Sequence, residues 1–189
     1  MSDIQALRLR PEECVLVVVD VQERLMAAMP EKVRPQVIGR IQALIEAGKR
    51  LGFPAIVTEQ YPKGLGATLG EVASALPQGT APLPKMSFSC CGAEGFMERL
   101  RSLGRTKVLL TGAETHVCCY QTALDLMENG FIVHAVADAL CSRSKLNWRT
   151  GLAALERAGA VPTTAEQALF DLLRVAGTED FKALSRLIR

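Results

Sequence analysis

An acid, an ammonium and a thiol stand where buried strands of this 189-residue chain are predicted to end. Asp20 follows the apolar run Val15–Val19, Lys85 follows Leu83, and Cys118 lies in the segment after Gly112. A thiolate is a strong nucleophile, but a free cysteine is mostly protonated near neutral pH. A carboxylate within reach can take the thiol proton, and a nearby ammonium can favour the charged states. These side chains are therefore compatible with covalent catalysis by Cys118. Each also has a structural interpretation, Cys118 as a buried core residue, Asp20 as a helix cap or loop acceptor, and Lys85 as a surface lysine.

Cys118 also falls at the start of a predicted helix. The pattern of apolar residues predicts this helix over Val117–Asn129, and Asn129-Gly130 is a typical helix end. The free N–H groups and the dipole at a helix start favour a thiolate, and they can later stabilise an oxyanion. We therefore expect Cys118 to react faster than the other thiols of the chain.

The remaining cysteines are interpreted mainly as packing residues. A free cysteine in an α/β core is most often a small buried hydrophobe, and this interpretation is favoured for Cys14, Cys90, Cys91 and Cys141. Cys90 and Cys91 follow the Lys85 region closely, so they could also line a pocket.

Cys119 is the competing nucleophile, about 100° further round the helix than Cys118. Packing is the favoured interpretation of Cys119 too. A redox pair of Cys118 and Cys119 is the least favoured hypothesis, because adjacent cysteines form only a strained bridge. The chain has no C-x-x-C motif, which makes a disulfide framework or a zinc site unfavourable.

Short β-branched and leucine-rich runs predict six strands. The first of them is apolar throughout, which is typical of a strand buried on both faces. The strands are predicted at Val15–Val19, Ala55–Thr58, a run that ends near Leu83, Lys107–Thr111, Phe131–Val136 and Val161-Pro162.

Helical periodicity fills the segments between these strands. A Gly- and Pro-rich segment, Gln60–Pro84, carries only one weak helical stretch and is of the kind that is often functional. The main helices are predicted from Pro30 to Gly52, and at Glu94–Leu103, Val117–Asn129, Asn147–Ala158, Ala165–Val175 and Glu179–Leu187.

Alternating strands and helices predict a three-layer α/β/α fold with a six-stranded, mainly parallel sheet of Rossmann-like topology. The length predicts a single domain over residues 1–189. Ligands of open parallel sheets bind at the carboxyl ends of the strands. Polar residues expected at that edge include Gln22, Gln60 and Tyr61, which could hydrogen-bond a small amide substrate or only brace the loops.

Composition argues against several other functional classes. The net charge is +2, so no electrostatic feature indicates nucleic acid or an anionic membrane as a partner. No apolar run approaches a membrane span, and the first residues do not resemble a secretory signal, so a cytoplasmic location is predicted. Neither G-x-G-x-x-G nor G-x-x-x-x-G-K-[ST] occurs, and no cofactor is expected.

Several segments together resemble the isochorismatase-like cysteine hydrolase superfamily, over almost the whole chain from about Val15. They read VVVDVQERL, PKMSFS, LLTGAETHVCCYQTALDL and FIVHAVADALCSRS. The segments VTEQYPKGLG and LFDLLRVAGTEDFKALSRLI are most similar to the isochorismatase domain-containing branch, whose physiological substrate is poorly defined.

The resemblance implies that Cys118 is the nucleophile, Asp20 the general base and Lys85 the third member of a catalytic triad. It also implies a cis peptide at Ala113-Glu114 and an oxyanion hole formed by the backbone N–H groups of Glu114 and Cys118. The implied reaction is hydrolysis of a small amide or related C–N bond through a thioester. The resemblance further implies a homo-oligomer.

Two reactions of the superfamily are less favoured. Cys118 argues against vinyl-ether hydrolysis of isochorismate, because enzymes of that type lack the cysteine. A metal-dependent nicotinamidase would need an Asp/His cluster after the second strand, where this chain has TEQYPKGLGAT without histidine. His116, in the nucleophile loop, and His134, within the fifth strand, are both interpreted as structural, and no metal is expected. A non-catalytic oligomer that keeps the fold for binding or assembly remains the alternative.

Overall fold

All six strands are parallel in a single sheet, in the spatial order β3-β2-β1-β4-β5-β6. The computed structural model describes residues 4–188. The strands are β1 (Cys14–Val19), β2 (Ala55–Gln60), β3 (Leu83–Lys85), β4 (Lys107–Ala113), β5 (Ile132–Cys141) and β6 (Val161–Thr163).

Helices connect the strands and cover both faces of the sheet. They are α1 (Ile4–Leu7), α2 (Glu23–Ala27), α3 (Arg34–Leu51), α4 (Pro62–Leu65), α5 (Gly70–Ala73), α6 (Phe96–Ser102), α7 (Cys118–Glu128), α8 (Lys145–Ala158), α9 (Ala165–Leu173) and α10 (Glu179–Leu184). Two short 3₁₀ helices, Pro11–Glu13 and Cys90–Gly92, complete the described elements.

The burial of β1 explains the three layers. Alternate residues of a strand point to opposite faces. Leu16 and Val18 pack in the core on the side of α3, α9 and α10. Val15, Val17 and Val19 pack in the second core with residues of α6, α7 and α8. The predicted three-layer architecture and parallel sheet are confirmed.

The main discrepancy from the sequence prediction lies in β5. The run was predicted to end at Val136, but the strand continues to Cys141, and Asp138 lies inside it rather than after it. The pairing of β4 with β5 shifts register between Leu110 and Gly112, which indicates a bulge at this point. The polar Asp138 fits within the strand because its carboxylate accepts a hydrogen bond from Ala165 N–H at 2.7 Å.

Helix boundaries differ modestly from those predicted. The helix expected from Pro30 begins at Arg34, and the one expected from Glu94 begins at Phe96. The segment Gln60–Pro84 contains two single-turn helices, α4 and α5, where one weak stretch was predicted. Such short helices carry too few apolar positions for periodicity to define them.

Candidate active site at the carboxyl edge of the sheet

The sheet order brings Asp20, Lys85 and Cys118 to one edge. Asp20 directly follows β1, Lys85 is the last residue of β3, and Cys118 is the first residue of α7, which follows β4. The strands β3, β2, β1 and β4 are consecutive in the sheet, so the residues that end or follow β3, β1 and β4 lie at the same edge. All three residues are buried, and Cys118 retains 6% of its surface exposed.

The Asp20 carboxylate is held by two donors. Lys85 Nζ lies 2.7 Å from Oδ2, and Thr58 Oγ1 donates to Oδ1 at 2.8 Å. The backbone N–H of Asp20 donates to the Thr58 carbonyl at 3.2 Å, and Asp20 adopts a left-handed φ of 51°. A buried carboxylate needs such partners because burial without them is strongly unfavourable.

The Lys85 ammonium is enclosed by oxygen acceptors. Besides Asp20, it contacts Gln60 Oε1 at 2.7 Å, the Phe88 carbonyl at 2.9 Å and the Ser87 carbonyl at 3.2 Å. An ammonium has three N–H donors, so these acceptors use its whole capacity. Burial opposes the charged form, but the charge and hydrogen bond of Asp20 outweigh it, and the net result is a raised pKa of Lys85. Lys85 therefore acts as a fixed positive charge.

The Cys118 thiol differs from the sequence prediction of a favoured thiolate. Burial raises the pKa of Cys118 to about 12, the negative charge of Asp20 and a hydrogen bond to its side chain add to the rise, and Lys85 opposes it. The positive charge of Lys85 does not compensate for burial and the neighbouring carboxylate. Cys118 is consequently a neutral thiol in the resting protein, beside a carboxylate that can accept its proton.

The loop between β4 and Cys118, residues 114–117, carries backbone donors next to this thiol. The peptide bond between Ala113 and Glu114 is cis. Within residues 4–188, the N–H groups of Glu114 and Cys118 donate to no protein acceptor, whereas those of Val117 and Cys119 both bond to the Glu114 carbonyl.

The Glu114 side chain contacts the loop after β5, which contains Ser142 and Arg143. Its buried carboxylate accepts the backbone N–H of Arg143 at 2.9 Å and the guanidinium Nε at 3.1 Å. His116 Nδ1 contacts Ser142 Oγ at 3.1 Å in the same loop. These contacts brace the nucleophile loop, which agrees with the structural interpretation of His116. The ion pair between the Glu114 carboxylate and Arg143 was not predicted from the sequence.

The three predicted substrate-binding residues occupy different positions. The fully buried Gln22 amide donates to the Gln60 and Gly66 carbonyls at 3.0 and 2.7 Å and accepts Gln60 N–H at 2.8 Å. Its contacts support the bracing alternative. The Gln60 side chain links Lys85 to the Met86 carbonyl, and Tyr61 is 48% exposed beside this edge.

The remaining cysteines are free, and most are buried. Cys119 is fully buried, and desolvation raises its pKa well above the ordinary value. The Sγ atom of Cys90 lies 3.4 Å from Oγ1 of Thr58, the hydroxyl that donates to Asp20. Its backbone N–H donates to Thr122 Oγ1 of α7 at 2.9 Å. Cys90 thus forms part of the wall behind Asp20.

Thr58 is a further residue of this site for which the sequence predicted no function. It lies at the predicted end of strand two, so its position at the sheet edge was visible in the sequence. A threonine in a strand is ordinary on β-propensity alone, and its partner Asp20 is 38 residues distant in sequence. Only the pairing of Thr58 with Val19 in neighbouring strands reveals the contact.

A separate cleft of about 550 Å³ lies beside the site, between the end of β5 and the starts of α3 and α8. Val33, Val37, Leu140 and Trp148 form part of its apolar lining. Asp20, Lys85 and Cys118 do not line it. No cluster of metal-ligating side chains occurs in the described part of the chain, and no helix there is long and apolar enough to cross a membrane.

The fold and the site together define a three-layer α/β/α protein with a buried Asp, Lys and Cys at one sheet edge. The isochorismatase domain model matches residues 14–167, so the chain belongs to the isochorismatase family. It is thus a member of a family of isochorismatase-like hydrolases.

Relatives are similar along nearly the whole chain. A secreted isochorismatase effector of Phytophthora sojae is 38% identical over 96% of this chain and 87% of its own length. Isochorismatase domain-containing protein 1 of Danio rerio is 39% identical over 99% of this chain, which spans 65% of that protein's length.

Solved structures share the fold. The MAR1 ribonuclease of Caenorhabditis elegans superposes with a TM-score of 0.88 at 36% identity, covering 96% of this chain and 92% of its own. The ycaC gene product of Escherichia coli, described as an octameric hydrolase of unknown specificity, gives a TM-score of 0.86 at 22% identity. It covers 96% of this chain and 90% of its own, and it supports the fold alone.

Proposed function

We propose that this protein is a cysteine-dependent hydrolase of a small amide or related C–N bond. The observation that carries the proposal is the buried cluster in which Asp20 is ion-paired with Lys85 at 2.7 Å and lies close enough to Cys118 for its negative charge to raise the pKa of that thiol. A carboxylate fixed by a permanent cation and placed against a neutral thiol is suited to general-base activation of that thiol.

The first half of the cycle forms a thioester. Asp20 takes the Cys118 proton as Sγ attacks the carbonyl carbon, and the carbonyl oxygen becomes an oxyanion. The N–H groups of Glu114 and Cys118 donate to this oxygen. The C–N bond then breaks, and Asp20 returns the proton to the leaving nitrogen, which departs as ammonia or an amine.

The second half releases the acid. Asp20 takes a proton from water as the water oxygen attacks the thioester carbon. The C–S bond breaks, Sγ regains the proton from Asp20, and a carboxylic acid leaves. Lys85 keeps its charge throughout, because its three N–H donors are already engaged with protein acceptors. No cofactor or metal is required by this cycle, and none is proposed.

A panel of small amides with ammonia or amine release as the readout tests the reaction class. Intact-protein mass spectrometry of acid-quenched samples detects the acyl adduct. We expect turnover of at least one amide and an adduct located on the Cys118 peptide. Turnover that persists undiminished in Cys118→Ser contradicts the proposal. RNA belongs in the panel because a neighbour at 36% identity is named a ribonuclease.

The alternative is a non-catalytic binding or assembly protein. We propose that the chain forms a homo-oligomer, since large apolar side chains stand exposed near the sheet edge, among them Met86 at 72% and Phe88 at 52%. Multi-angle light scattering measures the assembly. An oligomer without thioester formation on any amide supports the non-catalytic alternative, and turnover by the same oligomer excludes it.

Cytoplasmic location remains a prediction from the sequence.

A further inference from the structure

Asp20 has a third neighbour that the proposed triad does not include. Thr58 Oγ1 donates to Asp20 Oδ1 at 2.8 Å, while Lys85 occupies Oδ2 at 2.7 Å. Thr58 and Asp20 are both fully buried, so water does not compete for this hydrogen bond. Each oxygen of the carboxylate thus has its own fixed donor, and rotation of the carboxylate would break both bonds.

The direction of the hydrogen bonds behind Thr58 follows from donor counting. A threonine hydroxyl has one proton, and Thr58 gives it to Asp20. The contact of 3.4 Å between Thr58 Oγ1 and Cys90 Sγ must therefore run from the Cys90 thiol to the hydroxyl oxygen. Burial raises the pKa of Cys90 to about 11, so the thiol keeps the proton that it donates.

Backbone hydrogen bonds also hold Thr58 in place. Thr58 pairs with Val19 in the parallel ladder of β2 and β1, and its carbonyl accepts Asp20 N–H at 3.2 Å. Cys90, which contacts the Thr58 hydroxyl, donates its backbone N–H to Oγ1 of Thr122, one helical turn after Cys118 on α7. The strand, the 3₁₀ helix and the nucleophile helix are thereby joined through Thr58.

We propose that Thr58 is a positioning residue that holds the Asp20 carboxylate charged and oriented toward the Cys118 thiol. This inference rests on the proposed role of Asp20 as general base. The titratable groups that face Asp20 are Lys85 on β3, Cys90 on the 3₁₀ helix, and Cys118 and Cys119 on α7. Lys85 stays charged and the thiols stay neutral through the acid range, because the pKa of each of these groups is raised.

Alkylation of Cys118 by iodoacetamide tests this role without any knowledge of the substrate. The labelling rate of the Cys118 peptide is followed by mass spectrometry from pH 4 to pH 9 in the full-length protein. General-base help from Asp20 gives the rate an acid limb, where the carboxylate becomes protonated. A hydrogen bond to the charged carboxylate favours it over the protonated form.

We expect Thr58→Val to move the acid midpoint up by about one pH unit, since a donor to a charged group is removed. Thr58→Ser keeps the hydroxyl and should restore the wild-type midpoint. Thr111→Val is the matched control, because Thr111 is also a fully buried strand threonine, and its hydroxyl donates to the Val17 carbonyl at 3.0 Å, away from Asp20. That variant should keep the wild-type profile.

Coincident profiles for wild type and Thr58→Val overturn the positioning role. A shift of the same size in Thr111→Val overturns it too, because the effect would then be general to the core. If Thr58→Val does not fold, Thr58→Ala carries the same comparison. Failure of the proposed function looks different: Cys118 in the wild-type protein would then be labelled no faster than the buried Cys14, and without an acid limb.

Discussion

Lys85 Nζ and Asp20 Oδ2 are 2.7 Å apart, and both side chains are excluded from solvent. A buried ion pair stabilises a fold only weakly, but the loss of one partner leaves an uncompensated charge in the interior. The pair thus makes the stability of the sheet edge depend on the same groups that the proposed reaction uses.

Lys85→Met should lower the free energy of unfolding by about 3–5 kcal/mol, because the Asp20 charge loses its buried partner. Chemical denaturation measures this. The double variant Asp20→Asn/Lys85→Met should recover part of the stability while remaining inactive. The exposed pair of Lys182 and Glu179 provides the control, since Lys182→Met should cost less than about 1 kcal/mol. Equal losses at both lysines would contradict the energetic role of burial.

Cys118→Ser should reduce amide hydrolysis by about 1,000-fold or more, because a serine hydroxyl is a far poorer nucleophile at this position. Cys119→Ser is the matched control one residue along α7. Its side chain is fully buried, so its thiol packs in the core and we expect turnover to persist. Steady-state ammonia release with a substrate from the amide panel measures both. The reverse ranking would make Cys119 the nucleophile.

Gly112→Ala should destabilise the protein and disrupt the site. Gly112 has a φ of 108°, and a Cβ at this position would overlap the backbone of Val19, just before Asp20. β1 and β4 pair Val19 with Gly112, so any shift displaces the sheet edge that carries Asp20. Gly39→Ala in α3 is the control, where a Cβ meets open space and alanine should add about 0.5–1 kcal/mol. Thermal denaturation compares the two variants.

Acid should destabilise the fold partly through His134. Burial lowers the pKa of His134 to about 4 from 6.5, although its hydrogen bond to the Ala6 carbonyl opposes the change. The unfolded chain therefore takes up this proton first as the pH falls. The stabilisation is complete above pH 6.5 and is lost as the pH falls through 4, to a total of about 3 kcal/mol.

Urea midpoints at several pH values from 7 to 4 measure this loss. His134→Gln, which does not titrate, should show a shallower decline over the same range. Parallel curves for the two proteins would show that His134 does not contribute to the acid sensitivity.

The sequence by itself determined the layers of this protein. The uninterrupted apolar run of β1 predicted a strand buried on both faces, and the alternation of strands with helices predicted a parallel sheet. Those patterns are local and repeat along the chain, so periodicity reports them directly. Asp20, Lys85 and Cys118 were predicted at one edge because each follows or ends such a strand. Their partners were not predicted, since a hydrogen bond between Thr58 and Asp20 leaves no periodic signal.

The tertiary structure decided the protonation of Cys118. A helix start and a nearby lysine suggested a thiolate, but the charge state depends on how much water reaches Cys118 and on which charge lies closest. Burial and the Asp20 carboxylate raise the pKa of Cys118 more than the Lys85 ammonium lowers it, and this pKa rises to about 12. The same geometry places the Gln22 amide against the carbonyls of Gln60 and Gly66, contacts that no local pattern in the sequence indicates. Residue types define which groups can react, whereas desolvation and distance set their charge and their partners.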